Sequence, residues 1–86
     1  MNSDAGRILV VAPAFNEAAR IGGVIEKARR VLPEADFLVV DDGSQDGTGE
    51  AARAMGARVV QLPFNLGYGA ALQTGFKFAL RQQPRL

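Results

Sequence analysis

Two runs of consecutive apolar residues, Ile8-Leu9-Val10-Val11-Ala12 and Phe37-Leu38-Val39-Val40, constrain this chain more than any other feature. A strand wetted on one face alternates polar and apolar residues. Neither run does, so each predicts a strand buried on both faces, as in a parallel sheet with helices on either side. Pro13 closes the first run, and Asp41-Asp42-Gly43-Ser44 ends the second abruptly. A third run, Ala57-Arg58-Val59-Val60-Gln61-Leu62, follows Gly56 and predicts the last strand.

Between the runs the period changes. Ile21, Val24, Ile25, Ala28, Val31 and Leu32 recur at three- and four-residue spacing. They predict a helix with Asn16 as N-cap and Glu17 in its first turn, ended by Pro33. Ser44 or Asp46 can cap a short second helix carrying Ala51, Ala52 and Met55, and Gly56 stands where a left-handed residue closes a helix. After Pro63, Asn65-Leu66-Gly67-Tyr68-Gly69 leads into a third helix with Leu72, Phe76 and Leu80 on one face and Pro84 at its end.

The order β-α-β-α-β-α, with no repeat and no linker, predicts one α/β domain over residues 1–86. Right-handed crossovers make it a three-layer α/β/α unit with a small parallel sheet in the order 3-2-1. Strand one is then an edge, with no Lys, Pro or bulge inside its run to discourage pairing. A homo-oligomer covering that edge is expected.

Composition limits the chemistry. Ten basic residues against nine acidic ones, spread along the chain, give no basic patch for nucleic acid, and Arg29-Arg30 reads as a solvated helix face. The chain contains no cysteine and no histidine, which excludes disulfides, thiolate or imidazole zinc sites, a Cys nucleophile and a His base. Any metal would be a hard, oxygen-bound ion. Met1 to Gly6 lack the apolar core of a signal peptide and no run approaches the ~20 apolar residues of a membrane span, so a cytoplasmic location is expected.

Open parallel sheets bind ligands outside the carboxyl ends of their strands. Those ends carry Pro13 to Glu17, Asp41 to Ser44 and Pro63 to Gly69. The first turn has no glycine, which removes the dinucleotide fingerprint and the P-loop. It offers backbone amides and carbonyls with the Glu17 carboxylate, suited to a nucleobase edge and ribose hydroxyls. Asp42 can accept from a base N–H or a ribose hydroxyl, while Asp41 holds the turn. Turn-making and helix capping are the alternative use of the same residues. Gly67 and Gly69 can let the backbone approach a diphosphate at the start of helix three, and Tyr68 can stack on a ligand or cover the rim.

The ordered set Pro13-Ala14-Phe15-Asn16-Glu17, Asp41-Asp42-Gly43-Ser44-Gln45-Asp46-Gly47-Thr48 and Asn65-Leu66-Gly67-Tyr68-Gly69-Ala70-Ala71-Leu72-Gln73-Thr74-Gly75-Phe76 resembles family-two glycosyltransferases of the GT-A fold. It looks most like their dolichyl-phosphate-mannose-synthase-like branch, from about Ile8 to Leu80. The resemblance implies the first half of a GT-A, Rossmann-like fold and transfer of a sugar from a UDP- or GDP-sugar to an acceptor such as polyprenyl phosphate, with Mg2+ or Mn2+. It implies that Pro13, Ala14 and Phe15 surround the base, that Glu17 and Asp42 contact base or ribose, and that Gly67 and Gly69 lie beside the nucleotide. Relatives often carry Lys between those glycines; here the position is Tyr68.

The family's metal-binding Asp-x-Asp and its catalytic base come from segments that would follow Leu86. Asp41-Asp42 is no substitute, because adjacent residues of a strand point to opposite faces. The resemblance therefore assigns this chain no catalytic residue and no metal ligand. It implies the donor-nucleotide-binding part of an enzyme, inactive alone, with a stand-alone nucleotide-binding or oligomerising module as the alternative.

Overall fold

The structure, a computed structural model, describes residues 8–81. The three apolar runs form β1 (Leu9–Ala14), β2 (Asp36–Asp41) and β3 (Arg58–Gln61), and the helical segments form α1 (Ala18–Val31), α2 (Thr48–Ala54) and α3 (Tyr68–Arg81). The strands are parallel in the order β1-β2-β3, the expected 3-2-1 sheet read from its other edge. Leu9 pairs with Asp36 and Ala14 with Asp41, while Leu38 to Asp41 pair with Arg58 to Gln61. Pro84, expected to end the third helix, and Met1 to Gly6 lie outside the described residues.

β2 is central, and Leu38, Val39 and Val40 are essentially inaccessible, as their unbroken apolar run requires. One face of the sheet packs under α1 and α2 through Ala14, Ile21, Ile25, Phe37, Val39, Ala52 and Ala57. α3 covers the opposite face against β1 and β2. Arg29 lies over the Phe37 ring, 5.2 Å from its centroid, and Arg30 pairs with Glu26 at 3.5 Å, so the two arginines serve the helix surface.

Three expectations need correction. β1 continues through Pro13 to Ala14, so a proline does lie inside this edge strand. Its missing N–H harms nothing: Ile8 and Ala14 both turn their carbonyls to β2, accepting from Asp36 and Asp42, so the alternate residues Leu9, Val11 and Pro13 face the open edge.

The apolar face expected for α1 is only partly buried. Ile21 and Ile25 are inside, but Val24 and Val31 are exposed.

In α3 the buried positions are Ala71 and Gly75, whereas Phe76 and Leu80 are 54% and 60% exposed. A Cβ on Gly75 would lie 2.5 Å from Val11 Cγ1 and 2.9 Å from Val40 Cγ2. The helix approaches the sheet along its smallest residues, and the larger Leu72-Phe76-Leu80 stripe is rotated away from that contact.

Candidate functional site

The three turns expected at the carboxyl rim are tied to one another by their own polar groups. Asn16 adopts φ 53°, the left-handed region that asparagine tolerates better than most residues. It is therefore not the N-cap of α1; that position is Glu17, whose side chain makes no cap bond. The leading amides of α1 find partners about thirty residues away. Glu17 N–H donates to Thr48 Oγ1 at 2.9 Å and Ala18 N–H to Asp46 Oδ2 at 3.1 Å. Asn16 N–H donates to Ser44 Oγ at 2.8 Å, and Gln45 N–H returns a bond to Asn16 Oδ1 at 3.1 Å.

Asp46 also receives the Thr48 hydroxyl and, at 3.2 Å, the Thr48 N–H. It thus serves the entry of α2, as expected, and the entry of α1, which was not. Ser44 is spent on Asn16 instead of α2, whose N-cap is Gly47 at φ 82°. The Thr48 hydroxyl bond holds the Asp46 carboxyl below its ordinary value of 3.8, helped by the Ala18 and Thr48 amides and opposed by some desolvation.

The paired acids turn to different neighbours. Asp41, buried, accepts from its own turn at Ser44 N–H, 3.0 Å, and from Gln61 Nε2, 3.3 Å. Asp42, also buried, accepts from Leu66 N–H at 2.8 Å, Gly67 N–H at 3.0 Å and Asn65 Nδ2 at 3.1 Å. Asp41 is the turn-holder the sequence suggested. Asp42 is a holder as well: its carboxylate moors the third turn, leaving roughly one of its four lone-pair sites unclaimed. The second turn can carry that load because Gly43, at φ 78°, meets the backbone of Phe64 and Asn65, where a Cβ would come within 2.4 Å.

Of the other residues singled out, Pro13 and Ala14 end β1 and Phe15 is 46% exposed beside them. The Glu17 carboxylate has Arg20 as partner, Nε to Oε1 2.8 Å, a partly exposed pair worth little energetically. Ala12, Pro13, Ala14, Glu17, Arg20, Ile21 and Val24 line a hollow of about 330 Å³ between β1 and α1. Gly67, φ 101°, and Gly69 have open space where a side chain would stand, and Tyr68 is 72% exposed. The sequence reading gave Asp46 to the second helix and missed it, with Thr48, as a shaper of the first turn; the signal was one capping-type residue more, among Ser44, Asp46 and Thr48, than the second helix needs.

No helix among the described residues is long and apolar enough to cross a membrane. No three Asp, Glu, His or Cys residues converge to hold a metal ion among the described residues.

Comparison with known proteins agrees with this architecture. Residues 9–82 match the family described as glycosyl transferase family 2. An uncharacterised protein of Methanocaldococcus jannaschii is 42% identical, over 92% of this chain and 32% of its own length. The polyprenol monophosphomannose synthase of Mycolicibacterium smegmatis is 34% identical, over 88% of this chain and 31% of its own. Among solved structures, the glucosyl-3-phosphoglycerate synthase of Mycobacterium tuberculosis, in complex with Mn2+, UDP and glucosyl-3-phosphoglycerate, superposes with TM-score 0.64 at 39% identity. That match covers 80% of this chain and 28% of the other. The chain thus spans about a third of the length of these relatives, and its three parallel strands and three helices correspond to the N-terminal part of a GT-A, Rossmann-like fold. Matched along most of its length by the family as a whole, and alike in fold to a solved nucleotide-sugar enzyme, the chain belongs to glycosyl transferase family 2.

Proposed function

We propose that this chain is the donor-nucleotide-binding part of a glycosyltransferase that takes a sugar from a UDP- or GDP-sugar and delivers it to an acceptor such as polyprenyl phosphate, in the cytoplasm. The observation that carries the reading is the rim at the first turn. There an exposed aromatic ring, Phe15, and a carboxylate with only an exposed partner, Glu17, stand beside the end of β1. The base lies against Pro13, Ala14 and Phe15, and Glu17 accepts from a base N–H or a ribose hydroxyl. Asp42 adds its unclaimed lone pair, and Gly67 and Gly69 leave room for the diphosphate. The solved relative with UDP and Mn2+ supports a nucleotide ligand, and the relative named for polyprenol supports the acceptor. We propose that this part of the chain does not transfer sugar by itself, in keeping with the absence of a three-acid metal cluster among the described residues. We further propose that it self-associates through the open edge of β1.

Calorimetric titration with UDP and GDP, each with and without Mn2+, tests the reading. Binding of one nucleotide is expected, weakened about tenfold in Glu17→Ala, the scale of one hydrogen bond to a charged group. Glu17→Ala is the informative variant because the side chain supports no other turn. Absence of binding to either nucleotide at millimolar concentration would sink the proposal.

A further inference from the structure

An ordinary helix N-terminus consumes the side chain of its own cap residue, or of a neighbour, to satisfy its first amides. α1 does not. Its leading N–H groups at Glu17 and Ala18 are taken by Thr48 Oγ1 and Asp46 Oδ2, and the preceding amide of Asn16 by Ser44 Oγ. Thr48 is fully buried and its hydroxyl donates in turn to Asp46, so the two side chains act as one hydrogen-bonded unit between the turns. Glu17 is relieved of capping, and its partly exposed carboxylate pairs only with the exposed Arg20 guanidinium.

We propose that Asp46 and Thr48 are positioning residues for nucleotide binding: they cap α1 from the neighbouring turn and so present the Glu17 carboxylate and the Pro13–Phe15 backbone to the ligand. Neither touches the nucleotide. The inference rests on the nucleotide reading above and adds two residues that reading does not use. Its physical content is a division of labour, in which one turn supplies the contacts and the next turn supplies the geometry.

The test uses the whole chain with four substitutions: Thr48→Val, isosteric but without the hydroxyl; Thr48→Ser, which restores it; Asp46→Ala; and Gly75→Ala as a control at the distant α3–sheet contact. Amide hydrogen exchange by NMR and affinity for UDP and GDP are read on the same samples. Thr48→Val and Asp46→Ala are expected to speed exchange at Glu17 and Ala18 about tenfold or more relative to Ile25 in the middle of α1, and to weaken nucleotide binding by a similar factor. Thr48→Ser stays within about twofold of wild type, and Gly75→Ala raises exchange throughout without singling out the first turn.

Unchanged exchange at Glu17 and Ala18 would overturn the capping of α1 by Asp46 and Thr48. Opened amides with an unchanged nucleotide affinity would overturn the positioning role. If Thr48→Val does not fold, Asp46→Ala, at an exposed side chain, carries the same comparison. A wild-type chain that binds neither nucleotide overturns the nucleotide reading and the positioning role with it, an outcome distinct from wild-type binding that the substitutions leave intact.

Discussion

Asp46 gains more from folding as an anion than as the acid, because all of its bonds in the two turns are accepted ones. Its carboxyl is held below 3.8, chiefly by the Thr48 hydroxyl, so its contribution to stability is fully present above that value and is lost as the pH falls through the lower folded-state value. Thermal melts of wild type and Asp46→Asn are expected to differ near neutral pH and to converge in strong acid; a constant difference across the series would contradict the assignment. Asp42 teaches a related caution. Its carboxylate moors Asn65, Leu66 and Gly67, so removing it loosens the third turn whether or not a nucleotide contacts it. A loss of binding in Asp42→Ala therefore cannot separate contact from scaffolding, which is why Glu17 is the sharper probe.

At the scale of elements, the strands were legible, the inner faces of α1 and α2 largely so, and the face of α3 was not. A run such as Phe37 to Val40 has one physical reading, because four consecutive apolar side chains need cover on both sides of a sheet. α3 offers two adjacent stripes, Leu72-Phe76-Leu80 and Ala71-Gly75, and hydrophobicity favours the first. Distance of approach decides for the second: only where Gly75 stands can the helix come down onto Val11 and Val40. Gly75→Ala is accordingly expected to cost about 1–3 kcal/mol in urea unfolding, as an overpacked contact, despite alanine's better helix propensity. A neutral or stabilising result would mean that the helix can lift without loss. The cap of α1 was illegible for a different reason. Asn16 is a good cap by type, but its conformation is set by Ser44 and Gln45, and no local pattern records a partner that far along the chain. In the candidate site the residue types and the rim were therefore readable from sequence, while the sharing of work between Asp41, Asp42 and Asp46 was not.

For the molecule as a whole, β1 is one of the two edge strands of the described sheet, and its register sets what it can pair with. Along β1 the outward donors are Leu9 and Val11, while Pro13 offers only its carbonyl, so a second strand paired there forgoes one ladder bond at the end of β1. Sedimentation equilibrium is expected to show a dimer of the 9.1 kDa chain that dissociates on dilution; a monomer at every concentration would remove self-association through this edge. The exposed Phe76 and Leu80 stripe adds apolar surface on α3, which packs against β1 and β2. The sharing of caps between turns also bears on how the chain is made. On the ribosome, β1 and α1 emerge before Thr48 exists, and until it does the leading amides of α1 have only water to bond. The entry of α1 therefore gains its caps only once the second strand and its turn are in place.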